Sequence, residues 1–150
     1  MVLDHIAFHT EEDFPSDLSA EHAATHMGYY WSWAVRRALV NDAWFDAEAA
    51  DMDALMRGES GARFVLTHMA GGLEDTDFNK EGRLFVLFYY DDDDEGYGRF
   101  MEDYVNTLNT PALPSFYHVA DTPENQALLD GVFDGALMQW RSSMVAGKKE

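Results

Sequence analysis

The chain of 150 residues contains no cysteine. That excludes disulfides, thiolate metal sites and a cysteine nucleophile, and it fits a reducing compartment. Long apolar runs are also missing. No stretch approaches the roughly 18 uninterrupted apolar residues of a membrane span, and "MVLDHIAFHTEED" turns polar too early to be a secretory leader. Basic residues are scarce, 10 Lys and Arg against 28 Asp and Glu, for a formal charge of −18. A chain of that charge repels nucleic acid and anionic membranes and attracts cations and basic protein surfaces. Net charge also serves solubility alone, and it speaks to association rather than fold. The expected setting is cytoplasmic, with no nucleic-acid partner and no membrane partner; oligomeric state is left open.

Apolar residues make up 47% of the chain and aromatics 14%. That is enough for one packed core, so wholesale disorder is excluded and residues 1–150 read as a single domain. Residues 1–18 look irregular. From Ser19, a candidate N-cap, the pattern turns helical: Ala23, Met27, Tyr30, Trp31, Ala34, Val35, Ala38 and Leu39 follow three-four spacing, and Asn41-Asp42 ends the run. Gly28 inside it costs about 1 kcal/mol relative to alanine, which points to another element packing close. "DAEAADMDALMRGES" reads as a second helix capped by Asp46, and "SGARFVLTHMAGG" as a third. "RLFVLFYY" has the composition of a buried strand, but Thr76 and the acids after it suit a helix from Asp77 to Tyr90. "GYGRFMEDYVNTLN" is a further helix, "TPALPSFYHVADT" a loop, and Thr122-Pro123 starts the last helix. Residues 145–150 read as a frayed tail. The expected fold is a mostly all-α, compact bundle of about six helices, with α+β as the alternative if Leu84–Tyr90 is a strand.

The chemistry-bearing motifs are few. No G-x-x-x-x-G-K-[ST] or G-x-G-x-x-G marks a nucleotide site. Ser115 and Ser19 lie outside any G-x-S-x-G context, so a nucleophile triad has no sequence support. The aromatic cluster Tyr29, Tyr30, Trp31 and Trp33 reads as core. His22 and His26 stand four apart, so both would face one metal if they share a helix, although "EHAATH" is not H-E-x-x-H. His5, His9, His68 and His118 are unassigned.

The acidic run "DDDDEGYG" admits three readings. Counted from Asp91, the residues Asp91, Asp93, Glu95, Gly96 and Glu102 match the calcium-loop register, but Glu95 is long for its position, Gly98 stands where an apolar residue belongs, and no second loop exists. Charge runs are more often solvated turns. The third reading is a docking surface. Adjacent carboxylates repel unless a cation or basic partner offsets them, and an aromatic ringed by acids suits an Arg/Lys-rich protein. The candidate partner-binding residues are Asp91, Asp92, Asp93, Asp94, Glu95 and Tyr97, with Glu102 and Asp103 behind them.

The phrases "DFPSDL", "AATHMGYYWSWAV", "DFNKEGRLFVLFYY", "EDYVNTL" and "LPSFYHVADTPENQALLD" resemble, in order, a family of small acidic bacterial proteins known only as a domain of unknown function. The resemblance runs from about Asp13 to Asp130. It implies a compact helical protein without known enzymatic activity, similar to the immunity proteins that accompany secreted bacterial toxins. The expectation is therefore a non-enzymatic protein without cofactor or resident metal, whose partner is a cognate toxin with a basic surface. Calcium or other metal binding through Asp91–Glu102 is the alternative, and an acidic adaptor is a third.

Overall fold

The computed structural model describes residues 1–10, 14–90 and 99–148. Asp91–Gly98, which carries the calcium-loop reading and most of the candidate docking residues, lies outside the described residues, as do 11–13 and 149–150.

Strand β1 (Val2–His5) comes first, followed by a 3-10 turn over Ile6–Phe8. A second 3-10 turn, Ala20–Ala24, leads into α1 (Thr25–Arg36). Helices α2 (Ala43–Ala47), α3 (Ala49–Met56) and α4 (Gly61–His68) follow, then β2 (Gly72–Glu74). After a 3-10 turn at Asp75–Asp77 come α5 (Lys80–Tyr89) and α6 (Arg99–Leu108). Two short 3-10 turns, Thr110–Ala112 and Phe116–His118, precede α7 (Pro123–Lys148). The protein is thus mostly α-helical with a two-stranded antiparallel sheet, β1 against β2.

Helix α1 is the centre. Every residue from Thr25 to Val35 is buried, aromatic and polar alike, as expected for a helix covered on all sides. Tyr29, Tyr30, Trp31 and Trp33 are each at most 2% exposed, so none is left to line a surface groove. Trp31 packs on Phe64 of α4 and on Trp44 of α2. Trp33 lies between Phe85 of α5 and Phe133 of α7. The close approach inferred for Gly28 is a helix crossing: a β-carbon there would stand 2.2 Å from the backbone nitrogen of Ala62, and one on Gly61 would stand 2.1 Å from the Gly28 carbonyl oxygen. At its far end α1 is pinned to α7. Arg36 makes two hydrogen bonds to Asp130, and Asp134 accepts from both Arg37 and the Trp33 indole.

The segment Leu84–Tyr90 is helix up to Tyr89, which removes the strand alternative. Burial decides between the two. Gly82, Phe85, Val86 and Tyr89 are buried while Leu84 and Phe88 are about half exposed, a three-four rhythm rather than alternation. The cap is Asn79, whose side-chain oxygen accepts from the Gly82 N–H, not Thr76.

Several boundaries differ from the sequence reading. The N-terminal segment is not wholly irregular, because β1 pairs with β2 over a long sequence separation that local propensity does not reveal. Ser19 precedes a 3-10 turn and makes no side-chain cap bond to it. Asp46 lies inside α2 instead of capping α3. Helix α7 runs on through Lys148, into the segment expected as a frayed tail. Helix α1 stops at Arg36, short of Asn41-Asp42, because Ala38 turns left-handed at φ 58°. The Leu39 N–H then reaches the Ala34 carbonyl and the Ala38 N–H the Val35 carbonyl, a Schellman ending. An L-residue in that conformation loses about 1–2 kcal/mol that glycine does not. Ala38 is exposed, so Ala38→Gly should stabilise the protein by about 1 kcal/mol, read as a higher urea midpoint at unchanged slope.

Candidate functional site

Glu102 and Asp103, the two candidate docking residues that are described, lie on α6 and part company there. Glu102 is exposed, whereas half-buried Asp103 accepts a 2.5 Å hydrogen bond from the Tyr89 hydroxyl. Burial and the Asp103 charge together hold the Tyr89 phenol protonated, with its pKa raised far above the ordinary tyrosine value. Asp103 therefore ties α6 to α5.

Elsewhere the surface is acidic too. Asp42, Asp46, Asp51 and Asp53 are exposed along α2 and α3 and the residue before them. A cleft of 680 Å³ opens between α3, α4 and the start of α7. Its floor is Leu55 and Phe64, and its walls carry the carboxylates of Asp51, Glu59 and Asp121 beside Arg63 and His68. At its edge His68 Nε2 meets Asp51 at 2.6 Å and Nδ1 faces Glu48 at 3.4 Å.

The histidines do not pair as their spacing suggests. His22 sits exposed on the Ala20–Ala24 turn, with its Nδ1 toward Ser19. His26 is buried on α1 and points the other way, to Asp4 of β1. A 3-10 turn has three residues per turn, so the switch to α-helix at Thr25 breaks the shared face that four-residue spacing assumes.

What forms instead is a buried polar knot around Asp4, itself 6% exposed. One carboxylate oxygen accepts from His9 Nε2 at 2.7 Å and from the His5 backbone N–H at 2.8 Å. The other accepts from His26 Nε2 at 2.8 Å and from the Tyr90 hydroxyl at 2.5 Å. All the acceptor positions of the carboxylate are thereby filled. His9 Nδ1 is in turn hydrogen-bonded to Tyr117 Oη at 2.8 Å. Burial by itself would raise the Asp4 pKa, but the hydrogen bonds from His26 and His9 outweigh it and hold the carboxyl well below the usual range. Burial keeps His26 neutral, lowering its pKa despite the Asp4 charge. Tyr90 is kept protonated by burial and by the neighbouring anion.

A third grouping escaped motif reading because its acid, Asp17, lies 101 residues from His118. Ser115 Oγ lies 2.7 Å from His118 Nδ1, and His118 Nε2 lies 2.8 Å from Asp17. The order is that of a nucleophile, a base and an orienting acid. Ser115 Oγ also accepts from the Tyr117 N–H, closing the turn over Phe116–His118, and Asp17 is largely exposed to solvent. The grouping fastens the loop before α7 to the segment after Phe14.

Among the described residues, no helix is long and apolar enough to cross a membrane. No curated protein and no solved structure is significantly similar to the chain. A family model does match, over residues 2–119, a span that takes in β1, the Asp4 knot, α1 through α6 and the Ser115–His118 turn. On that match the chain belongs to the family described as a domain of unknown function, DUF7832.

Proposed function

We propose that the protein is an immunity protein, a non-enzymatic binder that neutralises a cognate bacterial toxin by docking an acidic surface against a basic one. The observation that carries this reading is the surplus of acid over base, a net charge of −18. Arg36, Arg37, Arg57, Arg83 and Arg141, five of the ten Lys and Arg, each already face a carboxylate of the same chain. A surface with that excess steers a cationic partner and loses the advantage as salt screens it.

The residues assigned to the contact are Asp91–Glu95 and Tyr97, from the sequence argument, with exposed Glu102 beside them. Asp103 is committed to Tyr89 and is a lesser contributor. Inhibition would be by occlusion of the toxin's basic surface, and a gene adjacent to this one that encodes a basic protein names the partner to test. Reversing Asp92, Asp93 and Asp94 to Lys should slow association by about tenfold or more at low salt. Circular dichroism should be unchanged. An unaltered rate and salt dependence in that variant would remove the acidic run from the interface.

A further inference from the structure

Two imidazoles and a carboxylate meet at Asp4, His9 and His26, with one ligating atom from each lying within 4.8 Å of the others. We propose that this knot is a binding site for a zinc-class divalent cation, held by His9 Nε2, His26 Nε2 and the Asp4 carboxylate. This site is separate from the acidic docking surface and does not depend on it.

The donor set selects the metal. Calcium and magnesium call for shells of oxygen, whereas two imidazole nitrogens and one carboxylate suit zinc and its neighbours. Outer partners of the kind such a site needs stand at His9 and at Asp4. A ligating histidine is oriented by a hydrogen bond at its other ring nitrogen, and His9 has one, from Nδ1 to Tyr117 Oη at 2.8 Å. The Asp4 carboxylate is held by the Tyr90 hydroxyl and the His5 N–H, both of which remain as donors when a cation is bound. Access is from the His9 side, where the side chain is 16% exposed against 1% for His26.

Coordination replaces two hydrogen bonds. In the metal-free arrangement His9 and His26 donate from Nε2 to Asp4. On binding, each neutral ring carries its proton on Nδ1 instead, and His9 Nδ1–H donates to Tyr117 Oη. No proton is released from a neutral ring.

The rival cluster is Glu48, Asp51 and His68. There the two acids approach opposite nitrogens of one ring, which bear outward in different directions, and Asp51 is exposed. It serves as the control. The test is titration of chelator-stripped protein with Zn²⁺ by calorimetry, together with nitrogen NMR of the histidine rings. The expected result is one equivalent bound, with the Nε2 resonances of His9 and His26 shifted and His68 unmoved. His9→Ala should weaken binding by more than about 100-fold and Tyr117→Phe by about tenfold, while His68→Ala leaves it unchanged. Absence of binding, or binding that is lost in His68→Ala and kept in His9→Ala, would overturn the proposal. If His9→Ala does not fold, the ring resonances of the unaltered protein decide the matter.

Discussion

Gly28→Ala should destabilise the protein by about 3 kcal/mol or more, at or beyond the upper end of ordinary overpacking. The new methyl would stand 2.2 Å from the Ala62 backbone nitrogen and 2.5 Å from its α-carbon. Backbone cannot rotate away as a side chain can, so α1 and α4 would have to separate. That separation would open the contacts of Trp31 with Phe64, in the middle of the core. Gly61→Ala should behave alike, because its methyl would meet the Gly28 carbonyl at 2.1 Å. The comparison that isolates the crossing is on α7. Gly131 and Gly135 lie in a helix with nothing within 4 Å of their would-be β-carbons. Alanine there should stabilise by up to about 1 kcal/mol through helix propensity. Urea unfolding of the four variants gives opposite signs for the same chemical change. Equal effects at Gly28 and Gly131 would refute the crossing.

Asp4→Ala is the second large effect, a loss of about 3–5 kcal/mol. It strands His9, His26, the Tyr90 hydroxyl and the His5 N–H in a site with little water. The same knot makes the protein acid-sensitive earlier than carboxylates alone would. Buried His26 has a pKa below its unfolded value, near 6.5, so between the two the unfolded chain holds a proton that the folded one does not. Stability is therefore full above about 6.5 and falls as pH drops below it, by up to about 1.4 kcal/mol per pH unit for the one proton. Asp4, whose pKa is depressed, adds its own loss in the same direction, beginning near the unfolded carboxylate value of about 3.9. Chemical unfolding at intervals from pH 7.5 to 5 should show the decline. A flat profile across that range would mean that His26 takes up its proton at the same pH in the folded and unfolded chain, so that burial does not lower its pKa.

The sequence was most legible where neighbours in the chain are neighbours in space. The three-four rhythm of Met27, Tyr30, Trp31 and Ala34 placed α1, and Thr122 with Pro123 placed the start of α7, where the Asn125 N–H donates to the Thr122 hydroxyl. It was least legible where one geometry changes to another. His22 and His26 carry helical spacing, yet the chain passes from 3-10 turn to α-helix between them. The Asp4 knot was out of reach because its donors come from β1, the turn after it, α1 and the end of α5, and Tyr90 is 86 residues from Asp4. No local pattern records such a meeting. A single aspartate in a strand of "VLDH" looks like surface, and only the fold shows it enclosed.

The most direct test of the docking function is a tagged capture from the source organism at low and at high salt, with the unaltered protein and with the Asp92, Asp93 and Asp94 to Lys variant side by side. The prediction is one basic protein, encoded next to this gene, that is held at low salt, released at high salt and poorly held by the variant. Its activity should be blocked by the unaltered protein in purified form. Capture of no basic protein, or of one held equally by the variant and at high salt, would contradict an acidic docking surface.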